Sequence, residues 1–161
     1  MRTRSSPFQV RVTNINRSYG LNVKLVRQIT CAILKSLRKG KTSEIDIVFM
    51  DDGAIKRLNR KYKNEDGPTD VLSFGIDGRE FMRRPVLGEV FVSLDTAARN
   101  ARLFGVSLEE EALRCVVHGI LHLFGYDDMT HRKKAAMWDA QERIMGELWR
   151  REDLSKVLTR R

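Results

Sequence analysis

Hydrophobic and polar positions alternate near the start of the chain: Phe8, Val10 and Val12 interleave with Gln9, Arg11 and Thr13, which predicts a half-buried strand. The period then changes. From Val23 to about Leu37, Val26, Ile29, Ile33 and Leu37 fall on one helical face, and Gly40 follows as a C-terminal stop. Ile45, Ile47 and Phe49 alternate again as a second strand. Asp51 or Asp52 is placed to cap a short helix that turns Ile55, Leu58 and Tyr62 inward, and the segment Gly67-Pro68-Thr69-Asp70 ends it. Val71 to Phe74 and Glu89 to Ser93 read as two further strands. Between them, Gly75 to Pro85 reads as a mobile loop bearing glycine and arginine.

The second half of the chain is helical. Ala97, Ala101 and Phe104 mark the inner face of one helix, ended by Gly105. Ser107 with Glu110 forms a capping box for the next, which runs to about Phe124. A final helix carries Met137, Ile144 and Leu148, and the charged tail 150–161 is expected to fray. With no internal repeat, linker or low-complexity stretch, residues 1–161 are expected to form a single domain. Its class is α+β, a mixed sheet of about four strands packed with about five helices.

Charge narrows the choice of partner. Thirty Lys and Arg against 21 Asp and Glu give a net charge of +9, which favours a polyanion. Cys31 and Cys115 both sit in helical apolar patterns and read as reduced core residues, although Cys115, three residues before His118 and on the same face, is also a lesser ligand candidate. The stretch MRTRSSPFQVRV lacks the apolar run of a signal peptide, and no segment approaches a membrane span, so the expectation is a cytoplasmic protein with no membrane partner.

The chemistry concentrates in the penultimate helix. His118 and His122, four residues apart, project from nearly the same helical face, so two imidazoles can share one ion. The plainer reading of such a pair is two core histidines bonded to backbone carbonyls. The next residues in the chain favour a site: Gly125 permits a reversal, and Asp127, Asp128 and His131 come directly after it. The spacing His118-x3-His122-x2-Gly125-x2-Asp128 matches the ligand spacing of the metzincin zinc motif, making this a zincin-like metal helix. Asp128 is the expected third ligand and His131 its rival; the plainer alternative is that Asp127 or Asp128 caps the last helix. One Zn2+ per chain with three protein ligands leaves a position open for catalysis. Zinc peptidases of this helix type carry Glu directly after the first His; here that residue is Gly119, which disfavours peptide hydrolysis.

The run His118-Gly119-Ile120-Leu121-His122-Leu123-Phe124-Gly125-Tyr126-Asp127 resembles the H-G-x-L-H-L-x-G-Y-D-H signature of the YbeY family, bacterial endoribonucleases of ribosomal-RNA maturation; ten of eleven positions are compatible. Asn59 to Tyr62, Pro68 to Phe74 and Leu87 to Glu89 resemble other blocks of that family in the same order, and the likeness spans about residues 44 to 148. The family's third metal histidine falls on Asp128. An arginine held to matter for cleavage falls on Lys63, which keeps the charge but loses the bidentate guanidinium fork.

The resemblance implies a zinc-dependent, single-strand-preferring endoribonuclease of rRNA maturation and ribosome quality control. Its partners would be single-stranded RNA, ribosomal RNA or the ribosome, and Lys63 would act as the catalytic cation. Independently, Lys56, Arg57, Arg60 and Lys61 crowd the same segment as Lys63 and are candidates to hold an RNA backbone; the plainer alternative is a solvated helix face. Thr69, Asp70, Ser73 and Tyr126 are weaker candidates to line a pocket. Two other functions compete: a non-catalytic ribosome-assembly protein with a structural zinc, and a zinc peptidase.

Overall fold

In the computed structural model, described for residues 6–38, 43–76 and 86–161, the elements in chain order are β1 (Phe8–Asn14), β2 (Tyr19–Leu21), α1 (Val23–Arg38), β3 (Ser43–Met50), α2 (Asp52–Lys63), β4 (Val71–Gly75), β5 (Val86–Ser93), α3 (Leu94–Phe104), α4 (Leu108–Leu123), α5 (His131–Arg151) and β6 (Leu158–Arg160). Four strands form one sheet in the order β1-β3-β5-β4. The pairs β1 with β3 and β3 with β5 are parallel, and the edge strand β4 runs antiparallel to β5. The expected α+β class with a mixed sheet is what forms. Gly40, read as a helix stop, and residues 77–85 of the expected loop lie outside the described residues.

Alternation decides which side of the sheet each strand residue serves. Ile45, Ile47 and Phe49 of β3, with Val90 and Val92 of β5, enter the main core with Ile29 and Ile33 of α1 and Leu113, Val117 and Ile120 of α4. On the opposite side, Met50 and Leu72 meet Ile55 of α2, with Val48, Phe74 and Phe91 packed against them. The sheet is thus covered on both faces, and α4 lies directly on β4 and β5.

A polar node clamps the elements opposite the main core. Asp51 caps α2 by accepting from the Ala54 N–H at 2.8 Å. Asp52 accepts from the hydroxyls of Ser93 and Thr96 at 2.7 and 2.6 Å and pairs with Arg99 at 2.7 Å. Asp95 accepts from the Asp52 N–H at 2.9 Å and from the Asn16 amide at 3.2 Å. Burial by itself would raise the Asp52 carboxyl, but these hydroxyls and the Arg99 guanidinium outweigh it and hold the group below the usual carboxylate range.

Four expectations are corrected. The tail 150–161 does not fray: Leu154 and Val157 are buried, and β6 pairs antiparallel with β2, two strands too short to show a period. Tyr62 does not turn inward; it is 57% exposed and stands against the Phe74 ring, while Asn59 takes the buried position on α2. Phe104 is 65% exposed, at the end of a helix whose inner face is Ala97 and Ala101. Half of the capping box forms: Ser107 accepts from the Glu110 N–H at 3.1 Å, but the Glu110 carboxylate turns forward to Arg114 at 2.9 Å.

Candidate active site

One face of α4 carries Glu111, Arg114, Cys115, His118 and His122, residues three and four apart that stack along the helix. Its end is built as the sequence suggests. Gly125 adopts φ of 90°, and the Tyr126 N–H returns to the Leu121 carbonyl at 3.1 Å, folding residues 126–128 back beside the last turn.

Each of the two histidine rings is held by one acceptor. His118 Nδ1 lies 3.0 Å from Gln141 Oε1, and His122 Nδ1 lies 3.0 Å from the Tyr126 carbonyl oxygen. Both partners can only accept. The Gln141 amide is oriented by its Nε2, which donates to Glu142 Oε1 at 3.4 Å. Each ring therefore carries its proton on Nδ1 and presents a lone pair at Nε2. The two Nε2 atoms stand 3.1 Å apart. Lone pairs at that distance repel unless a cation or proton sits with them, and two nitrogen ligands about 2.0–2.1 Å from a tetrahedral zinc would stand roughly 3.3 Å apart. The donor set fits one such ion.

Electrostatics act on His122. Burial, then the neighbouring His118, lowers the His122 pKa from its ordinary value; Lys63 adds to this, while the Tyr126 carbonyl and Asp128 oppose it. The neutral, ligating form of that ring consequently persists to lower pH than in a free histidine.

A cavity of about 370 Å³ opens over the pair, lined by Lys63, Thr69, Asp70, Ser73, His118, His122 and Asp128 among others. Lys63 reaches it from the last turn of α2, and Asp128 reaches it after the Gly125 reversal. His131 is exposed as the first residue of α5 and is not part of that lining; Thr130 caps the helix by accepting from the Lys133 N–H. Asp127 is drawn away to Lys133 at 3.0 Å. Thr69, Asp70 and Ser73 line the cavity as expected, whereas Tyr126 contributes its carbonyl to His122 and its ring lies outside this lining. Lys56, Arg57, Arg60 and Lys61 remain on the exposed face of α2, away from the lining; Lys56 pairs with Asp66 at 3.6 Å, and the Lys61 ammonium lies over the Tyr62 ring.

Gly119 explains why no glutamate comes after the first histidine. A Cβ there would lie 2.5 Å from Val90 Cγ1 and 2.9 Å from Ser73 Oγ. The position faces the sheet, where the Ser73 hydroxyl donates to the Gly119 carbonyl at 3.0 Å.

One feature had no legible signal, and a second was legible only in part, through Asp70 and Cys115. Gln141, an ordinary polar residue on a helix, sets the His118 tautomer. Further along the α4 face, Asp70, Glu111 and Cys115 bring ligand atoms within 4.8 Å of one another, a cluster able to hold a metal ion among the described residues. Cys115 is buried as expected; burial pushes its thiol well up, and Asp70 and Glu111 push it further, so with no ion bound it stays protonated. Burial likewise raises the Glu111 carboxyl against the pull of Arg114.

Comparison with known proteins converges on one family. Residues 11–149 match the family model described as Endoribonuclease YbeY. Endoribonuclease YbeY of Pelotomaculum thermopropionicum is 37% identical over 146 residues, covering 86% of this chain and 96% of that protein. Its counterpart in Sulfurihydrogenibium is 36% identical over 149 residues, covering 92% and 97%. The solution structure of TM1509 from Thermotoga maritima superposes with a TM-score of 0.63 at 28% identity, over 88% of this chain and 89% of that one. A match over most of the chain, with the paired histidines inside it, means that this protein belongs to the Endoribonuclease YbeY family.

Proposed function

We propose that this endoribonuclease-family chain cuts single-stranded RNA with one zinc ion held by His118, His122 and Asp128, acting in the cytoplasm on ribosomal RNA during maturation and quality control. The observation that carries the reading is the pair of facing Nε2 lone pairs, 3.1 Å apart, at the floor of a cavity edged by Lys63. A zinc ion there supplies Lewis acidity towards a phosphoryl oxygen and yields a nucleophile from water near neutral pH.

The chain's own residues do the rest. Gln141 and the Tyr126 carbonyl fix both rings by accepting from Nδ1–H, so the ligand geometry is set before substrate arrives. Lys63 presents its ammonium to the phosphate in the cavity, where charge grows as the bond breaks. Lys56, Arg57, Arg60 and Lys61, on the exposed face of the helix that ends at Lys63, give the strand a basic approach. A purely structural zinc is the lesser reading, because the pair faces an open cavity and not a closed shell. A peptidase is disfavoured because the helix position for its general base is filled by the sheet.

The test is elemental analysis and cleavage of single-stranded RNA by wild type, Asp128→Ala and His131→Ala. Wild type is expected to hold about one zinc per chain and to cut RNA; Asp128→Ala should lose both properties and His131→Ala neither. Metal lost from His131→Ala alone would move the third ligand to His131. A wild type that takes up zinc and binds RNA without cutting it would make the metal structural. Lys63→Ala should lower cleavage more than binding, by about 10–100-fold; equal losses would reduce Lys63 to docking.

A further inference from the structure

A second cavity, about 530 Å³, adjoins the first and shares Asp70, Val71 and His118 with it. The proposed cleavage chemistry makes no use of it. Resting on that chemistry, we infer that this cavity is a nucleobase subsite, taking the base next to the phosphate held at His118 and His122, with Trp138 and Phe104 as its stacking faces.

The lining selects that occupant. Trp138 is 58% and Phe104 65% exposed, and both border the cavity, so two aromatic faces stand free at its mouth. Trp138 lies three residues before Gln141 and four before Glu142 on α5, which puts the ring on the helical face that holds His118. The stacking faces and His118 therefore border one cavity. Stacking on aromatic rings is how single-stranded RNA is gripped by proteins, since every base offers a π-face.

Charge excludes the alternatives. The polar wall carries three carboxylates, Asp70, Glu111 and Glu142, against one guanidinium, Arg114. Arg114 is already taken by Glu110 and Glu142, both at 2.9 Å. A phosphate is repelled from such a wall and stays on the Lys63 side, whereas a base edge rich in N–H groups is received by it. Glu111 is 4% exposed, and its Oε2 has no hydrogen-bond partner, lying 3.6 Å from Arg114. The surplus of acceptors favours guanine, whose N1–H and amino group are adjacent donors, over uracil. A cation on Asp70, Glu111 and Cys115 would use the carboxylates but leave the aromatic faces unexplained. The volume lies within the usual range for small-ligand pockets, about 300–1,000 Å³.

The experiment uses Trp149→Phe, which leaves Trp138 as the single tryptophan reporter in an otherwise intact chain. Guanosine 5′-monophosphate is expected to quench its fluorescence saturably, uridine 5′-monophosphate to do so several-fold more weakly, and ribose 5-phosphate not at all. In steady-state cleavage of single-stranded RNA, Trp138→Ala should raise KM roughly tenfold, with kcat little changed, and Trp138→Phe should restore most of the loss. Equal quenching by ribose 5-phosphate, quenching by a second equivalent of zinc but by no nucleotide, or an unaltered KM in Trp138→Ala would each overturn the subsite. Failure of the parent mechanism looks different: zinc-loaded wild type would cut no RNA, while the nucleotide titration would still report whether the base binds.

Discussion

Two polar neighbourhoods in this protein are built from similar groups to opposite effect. Around Asp52 and Asp95 each carboxylate oxygen accepts from a donor: Ser93, Thr96, Arg99, Asn16 or a backbone N–H. Along the cavity-facing stripe of α4 the groups are left over: two lone pairs face each other at His118 and His122, and Glu111 Oε2 has no donor. Satisfied networks hold elements together, whereas facing lone pairs in a cavity leave room for a group from outside the chain. The first neighbourhood binds elements together, and the second is where the proposed metal chemistry would act.

The contrast is sharpest at His122. His122→Ala should cost more than about 100-fold in zinc affinity and in RNA cleavage, since a metal ligand outweighs the residues that orient it. The metal-free protein should melt within about 3 °C of wild type, because a repulsive contact goes with the ring. A large drop in apo stability would mean that the pair is structural. Next comes Gln141→Ala, which frees the His118 ring; zinc affinity should fall roughly 10–100-fold, read by competition with a chelator, with the fold intact by circular dichroism. An unchanged affinity would remove Gln141 from the site.

The smallest effect belongs to the satisfied node. Asp52→Asn should destabilise by about 2 kcal/mol, or roughly 4–8 °C in Tm, and leave zinc uptake alone. Its sign with pH is fixed: a carboxylate whose folded pKa is depressed stabilises above its unfolded pKa, and that contribution is lost as pH falls through the lower, folded value. The gap between variant and wild type should therefore be full at neutral pH and close in strong acid. A gap that persists in acid would mean that packing, not charge, holds the node.

Where periodicity was long, the fold was legible. Phe8, Val10 and Val12 bury their pattern, as do Val26, Ile29 and Ile33, while Leu37 at the end of that helix is half-buried. Short or interrupted signals failed for physical reasons. Three-residue strands carry no period, so β2 and β6 were hidden, and the buried Leu154 and Val157 were masked by the charges around them. Tyr62 and Phe104 kept the helical spacing of core residues but sit in terminal turns, where the helix runs past what covers it. In the proposed site, His118 and His122 were legible as a facing pair because histidine is rare and four-residue spacing is geometric. Gln141 and Trp138 were not: they come to α4 from another helix, and only tertiary packing brings them there.

The contact at Gly119 also bears on how this site can change. A one-step replacement by glutamate would force carbon into the space of Val90 Cγ1 and Ser73 Oγ, so both strands beneath the helix would have to yield first. Val90 belongs to the main core, and trimming it leaves a cavity costing roughly 1–3 kcal/mol. The evolutionary route from this helix, with its proposed metal ligands, to one that carries its own general base is therefore a valley several substitutions wide. Drift at this position is penalised by the sheet before catalysis is ever tested.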